Sequence, residues 1–256
     1  MTGAPSTAPG ARTAELADRL GRVEARIAAA CAAAGRPRSA LRLVVVTKTY
    51  PVTDVAALAG LGVEDVGESR HPEAGRKVDE YNELARVGQP TLCWHFVGAV
   101  QTNKAAAVAS YADLVHSVDR TRLVAALDRG AERAGRLLEC LVQVDLDPAA
   151  GSEARTRGRD GPRSGVAPAG VEAVADAVAT AGCLRLRGVM AVAPLGGDPT
   201  EAFDRLASVA ARLSSAHPTA DVVSAGMSDD LEQAVRAGTT LLRVGRAILG
   251  ERPPLR

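Results

Sequence analysis

Apolar residues recur along this chain in two rhythms. Leu16, Leu20, Val23 and Ile27 stand four, three and four residues apart, one stripe of a 3.6-residue period, and predict an amphipathic helix reaching about residue 34. Past Gly35 the rhythm changes. Leu41-Arg42-Leu43-Val44-Val45-Val46-Thr47-Lys48 is a nearly continuous apolar run, the pattern of a parallel strand covered on both faces. Thr53, after Pro51, then caps a short helix through Leu61. The same alternation continues: a strand at Val63–Gly67 with a helix at 72–86, Trp94–Gly98 with Asn103–Ser110, and Leu114–Val118 with Arg120–Gly135. Cys140–Leu146 is followed by a helix near Ala169–Ala181, and Leu184–Val192 by Pro199–Ala216. Val222–Ala225 pairs with Ser228–Ala237, and Leu241–Val244 with a short helix opening at Gly245.

Eight strand-helix units in strict alternation predict an α/β fold, a single (β/α)8 TIM-like barrel with an extra N-terminal helix and no second domain. An open doubly wound sheet is the alternative. Against it, no GxGxxG follows the first strand, and the Gly-rich candidates lie at the far end of the chain. Residues 1–13 are small, polar and Pro-containing, so they read as a disordered tail without the apolar core of a signal peptide; 14–256 read as the barrel domain. The segment from Asp147 to Pro168 is rich in Gly, Arg and Pro and reads as a mobile loop on the face where strands end.

Composition removes several function classes. A net charge of +1 supplies no field for polyanions, and aromatics at 2% leave few platforms for stacking bases, so no nucleic-acid partner is expected. The loop arginines are interleaved with Asp147, Glu153 and Asp160, which argues against a nucleic-acid arm. No apolar stretch approaches the roughly 18–20 residues of a membrane span. Cys31, Cys93, Cys140 and Cys183 are widely spaced without a CxxC pair and read as buried free thiols, which fits a cytoplasmic protein. The four histidines show no metal-ligand spacing.

One residue stands out against that background. The chain has 28 arginines and only three lysines, and Lys48 closes the first strand-like run. Arginine serves for solvated charge almost everywhere here, and it cannot become a neutral amine; a partly desolvated lysine can, and can then form a Schiff base with an aldehyde. A lysine merely solvated or ion-paired at a strand end is the alternative. In a barrel, the carboxyl ends of strands one, seven and eight can meet across the rim, which would bring Lys48 toward Ser224-Ala225-Gly226-Met227-Ser228 and Arg243-Val244-Gly245-Arg246. Gly226 lets backbone approach a ligand, Ser228 offers a hydroxyl, and Gly245 opens a helix whose free N–H groups favour an anion. Taken singly, these glycines need only turn the chain and Ser228 need only cap a helix. Taken with Lys48 they suggest a phosphorylated aldehyde held as an imine.

The strings VVVTKTYP, VGES, WHFVGAVQTNK, HSVDR, RSGV, LRLRGVMAV, GMSDDLEQAVRAG and LRVGRAILGERP, in order from about residue 14 to 253, resemble the pyridoxal-phosphate homeostasis protein family (YggS/PROSC type). The resemblance implies a barrel like the N-terminal domain of alanine racemase, with pyridoxal 5'-phosphate (PLP) as an internal aldimine on Lys48. It implies a phosphate held by Ser224, Gly226, Ser228 and the backbone around Gly245 and Arg246, with Arg243 facing the pyridine nitrogen. An arginine there would not favour a protonated ring and would weaken the electron sink. Ser69 stands where the family usually has Asn, and Arg246 where it usually has Thr or Ser, so a phosphate hydroxyl is lost and a guanidinium gained.

The resemblance further implies a carrier that buffers PLP for vitamin B6 homeostasis, with PLP-dependent apoenzymes as partners. Alternatives are a weak amino-acid racemase in which Lys48 serves one face and Tyr50 or a water the other, and a cofactor-free Schiff-base aldolase. His95 and Glu68 follow strand positions and are candidate general bases or structural residues. Lys104, which begins a helix, and Lys77, beside Asp79 and Glu80, are expected to be solvated or salt-bridged.

Overall fold

The computed structural model describes residues 9–85, 88–147, 165–194 and 196–251. Eight strands, β1 (Arg42–Val46), β2 (Asp65–Glu68), β3 (Cys93–Phe96), β4 (Leu114–Val118), β5 (Leu138–Gln143), β6 (Leu184–Met190), β7 (Val222–Ser224) and β8 (Leu241–Val244), close into a barrel in sequence order. Every neighbouring pair is parallel, including β1 with β8, where Val44 registers with Arg243. The expected barrel is therefore the observed one. Helices α1 (Pro9–Ala33), α2 (Val52–Gly60), α3 (Glu73–Ala85), α4 (Ala105–Ala109), α5 (Thr121–Ala134), α6 (Val171–Ala179), α7 (Pro199–Ala216), α8 (Leu231–Arg236) and α9 (Arg246–Leu249) follow the alternation.

Closure puts a β-branched, Ala-rich core between strands and helices. Val45, Val66, Val115, Val142, Val189 and Leu242 are fully buried and belong to one cluster with the inner faces of the helices. Inside the barrel Leu114, Leu141 and Met190 form a second, small cluster. Its modest size matters, because much of the remaining interior is polar.

The N-terminal helix begins earlier than its composition predicts. Residues 9–13, expected in the tail, are helical. Tertiary contact explains the difference: Arg12 donates to both Asp54 carboxylate oxygens, at 3.2 and 2.7 Å, and to the Leu249 carbonyl at 3.0 Å, tying α1 to α2 and α9. The remainder of the expected tail, 1–8, and most of the expected loop, 148–164, lie outside the described residues.

Candidate active site at the carboxyl rim

β1 ends at Val46, two residues before the lysine that was expected to close it. Thr47, Lys48 and Thr49 instead form a turn, and Thr49 adopts φ 73°, a left-handed conformation that a β-branched residue rarely takes. The turn is held from beneath. Thr47 Oγ1 donates to Glu68 Oε1 at 2.7 Å, and Lys77 Nζ reaches the Thr47 carbonyl at 2.9 Å and Glu68 Oε1 at 2.5 Å. Lys77 and Glu68 are thus a nearly buried ion pair that fixes the carbonyl preceding Lys48. Lys77 is salt-bridged, as its setting predicts, and Glu68, a candidate base or structural residue, serves here as its ion-pair partner.

Lys48 lines a cavity of about 260 Å³ together with Val46, Val97, Val192, Met227, Ser228, Asp229, Arg243, Gly245 and Arg246. The structure therefore brings together Lys48, Ser228, Arg243, Gly245 and Arg246 from the ends of β1, β7 and β8. A volume just under the roughly 300–1,000 Å³ of drug-sized pockets suits a single-ring metabolite. Larger hollows of about 360 Å³ and 420 Å³ lie between α6 and α7 and at the opposite, amino end of the barrel, away from this set of groups. The lining is apolar as well as charged: among the described residues the exposed large hydrophobics are Leu137, Val192 and Met227, and two of those three line this cavity.

Other expected site residues sit elsewhere. Ser224 is fully buried and does not line the cavity; its hydroxyl meets Arg243 Nη1 at 2.5 Å and His116 Nδ1 at 3.0 Å. A side chain at that inward strand position faces the barrel interior, so it supports Arg243 rather than reaching the rim. Gly226 is also absent from the lining. Its φ is 89°, and a Cβ there would meet Ala234 Cβ at 2.6 Å and Leu242 Cδ2 at 2.7 Å, so glycine is required by the turn and by packing. Gly245 does line the cavity, and there a Cβ would come within 3.2 Å of the Val46 carbonyl oxygen. Tyr50, the candidate acid for racemization, is buried and donates to the Gly250 carbonyl at 2.7 Å, a tie between the β1 turn and the end of α9. Ser228 does not cap a helix: α8 starts three residues later than expected, and Asp230 Oδ1 closes the preceding turn by accepting from Met227 N at 2.6 Å.

Arg243 has an unusual setting. It is buried, donates to Ser224 and, at 2.8 Å, to the Ala191 carbonyl, and among the described residues no carboxylate pairs with it. Burial lowers its pKa to about 10, opposed by the distant Asp230, so at neutral pH it remains a cation. Arg246 Nη2 lies 3.2 Å from Asp229 Oδ2 at the exposed mouth. An unneutralised guanidinium in the wall, a second one at the mouth with a serine hydroxyl, and an amine opposite form a donor set matched to a small anionic aldehyde with a ring-nitrogen acceptor. The residues present fit PLP.

Beneath the cavity lies a buried polar file, of which the sequence marks His95 but neither His116 nor Asp65. His116 Nε2 meets His95 Nδ1 at 2.8 Å, His95 Nε2 meets Asp65 Oδ1 at 2.8 Å, and Arg42 closes an ion pair on Asp65. Burial, then the neighbouring His95 and Arg243, hold His116 well below the usual imidazole range. Burial alone would raise the Asp65 carboxyl, but the bonds from His95 and Arg42 more than offset it and leave it below its ordinary value. Cys93 also approaches, so that Asp65, Cys93 and His95 bring ligand-type atoms within 4.8 Å of one another. Burial and the Asp65 charge push that thiol up to about 12, so it remains protonated, and Asp65 is already engaged by Arg42 and His95. Asp65 and His95 belong to a hydrogen-bonded network.

Residues 19–253 match the family model for the alanine racemase N-terminal domain. A pyridoxal phosphate homeostasis protein of Mycobacterium tuberculosis is 43% identical over 254 residues, covering 94% of each chain. This chain belongs to the pyridoxal phosphate homeostasis protein family. Among solved structures, a protein of Bifidobacterium adolescentis superposes with a TM-score of 0.83 at 27% identity, covering 96% of this chain and 98% of that one. PipY of Synechococcus elongatus, solved with PLP bound, superposes with a TM-score of 0.75 at 30% identity, covering 92% of this chain and all (100%) of its own. Membership of the pyridoxal phosphate homeostasis family accounts for the order of the motif strings along the chain.

Proposed function

We propose that this protein binds pyridoxal 5'-phosphate as a Schiff base on Lys48 and serves as an intracellular carrier in vitamin B6 homeostasis. The observation that carries the reading is the cavity lined by Lys48 together with Ser228, Arg243, Gly245 and Arg246, on a chain whose relatives are named pyridoxal phosphate homeostasis proteins. When bound, PLP supplies an electrophilic aldehyde, a ring nitrogen and a phosphate handle. Lys48 takes the aldehyde carbon through its neutral amine with loss of water. Ser228, the Gly245 and Arg246 backbone and the Arg246 guanidinium hold the phosphate. Val97, Val192 and Met227 cover the ring and lose exposed apolar area as they do so. Gly226 and Ser224 contribute by shaping the β7 turn and by supporting Arg243.

Two features favour holding over turnover. Arg243 is a permanent donor, so it leaves the ring nitrogen unprotonated and the electron sink weak. The Tyr50 hydroxyl is spent on the Gly250 carbonyl and does not stand in the cavity as a second acid. PLP-dependent apoenzymes in the same cytoplasm are the proposed recipients. Titrating the purified protein with PLP while recording absorbance tests the reading. A protein-bound imine band is expected, with no measurable exchange of amino-acid α-deuterium into water. Absence of the band refutes the carrier assignment, and rapid exchange replaces it with racemase chemistry.

A further inference from the structure

β4 and β7 are separated in the closed sheet by β5 and β6, so the bond between His116 and Ser224 spans the barrel interior. It is one link in a file running from the amino end of the barrel to the cavity: Arg42, Asp65, His95, His116, Ser224, Arg243. From Asp65 to Arg243 every member is buried, with exposures of 5%, 2%, 0%, 0% and 5%. Barrel interiors of this class are filled chiefly by branched apolar side chains. A polar file in their place must be fully satisfied or it costs stability.

The two ends settle the order of protons between them. An ionised carboxylate only accepts and a guanidinium only donates. Asp65 therefore accepts a hydrogen bond from His95 Nε2–H, which leaves His95 Nδ1 as acceptor. His116 must then donate from Nε2 and accept at Nδ1. That nitrogen accepts a hydrogen bond from the Ser224 hydroxyl, and the Ser224 oxygen accepts from Arg243. The rival arrangement, a doubly protonated His95, would force His116 to donate from Nδ1 to Ser224. Among the described residues the Ser224 hydroxyl meets only His116 and Arg243, so its own proton would then be buried without an acceptor, which is unfavourable. Reversing the whole file would require a protonated Asp65 beside Arg42 and a neutral Arg243.

We propose that His116, His95 and Asp65 are positioning residues acting through Ser224. With both imidazoles neutral and protonated at Nε2, they form a one-way donor chain that locks Arg243 into the cavity wall as a cationic donor. The ligand atom facing Arg243 must then be an acceptor. For PLP that means a ring nitrogen kept unprotonated by residues it never touches, a consequence that rests on the function proposed above.

The proton order itself is tested without cofactor. In the ligand-free protein with 15N-labelled histidine, long-range proton–nitrogen correlation should show His95 and His116 as Nε2–H tautomers, and the Arg243 side-chain N–H signals should exchange slowly. An Nδ1–H or charged form at either histidine overturns the proposal. In His116→Leu the protected Arg243 signals should be lost, and His116→Gln, whose amide can both donate and accept, should restore them; Ser224→Ala breaks the same chain if the leucine variant fails to fold. With PLP added, His116→Leu should still be captured at Lys48. Its absorbance maximum should move and its affinity fall about tenfold, the scale of one lost hydrogen bond, with recovery in His116→Gln. An unmoved band and unchanged Arg243 exchange in His116→Leu contradict the proposal. Failure of the wild type to capture PLP refutes the cofactor reading, while the ligand-free spectra still decide the proton order.

Discussion

Lys48 owes its place to groups that flank it in space. Its turn departs from β1 through the strained Thr49 backbone, and the carbonyl just before it is clamped by Lys77. Replacing Lys48 by Ala should therefore remove covalent capture and change unfolding free energy by less than about 0.5 kcal/mol, because a half-buried rim residue contributes little packing. Lys77→Ala should behave in the opposite way. It strands the buried Glu68 carboxylate, for which a loss of about 3–5 kcal/mol in chemical denaturation is expected, partly recovered in the Lys77→Ala, Glu68→Gln double variant. The scarcity of lysine made Lys48 legible in the sequence. Lys77 is equally one of the three lysines, but its place in a helix beside Asp79 and Glu80 predicted only a solvated or salt-bridged residue, since its burial follows from how α3 lies against β1 and β2. His116 was hidden for a related reason: in Leu-Val-His-Ser-Val a strand buried on both faces gives no alternation to show which side chains point into the barrel.

Strand-helix alternation, read from apolar runs, placed all eight units, and the errors concentrate at element ends. β1 and β6 stop two residues short of their apolar runs, at Val46 and Met190, because the last residues of each run turn toward the rim. The start of α8 was misread because Ser228-Asp229-Asp230 carries the signature of a cap, whereas Asp230 spends its carboxylate on the Met227 amide. That loop depends on Gly226. Gly226→Ala should cost at least about 1 kcal/mol, from positive φ together with overlap on Ala234 and Leu242, and should weaken PLP binding by displacing Ser228. Thermal unfolding with and without PLP separates the two effects.

Across the whole molecule the polar file makes stability depend on pH. His116 has a folded pKa far below its unfolded value of 6.5, so below about pH 6.5 the unfolded chain binds a proton that the native state refuses. Stability is fully present above that pH and should fall by about 1.4 kcal/mol for each unit of acidification beneath it. Asp65, lowered in the folded state, adds a further loss as pH falls through the carboxylate range. The groups facing His116 are His95 and Arg243, with Arg42 farther off, and none supplies an anion to stabilise an imidazolium. Denaturation midpoints between pH 7.5 and 5 should show this slope in the wild type and a shallower one in His116→Gln. No described helix is long and apolar enough to cross a membrane, and the parts of the molecule that carry chemistry lie in the barrel interior and at its carboxyl rim.

The central claim is that one amine at this rim captures PLP. Borohydride reduction of the protein incubated with PLP, followed by peptide mapping by mass spectrometry, addresses it directly. The account predicts a single phosphopyridoxyl adduct on Lys48, absent from Lys48→Ala. An adduct on Lys77 or Lys104, or none at all, would contradict it.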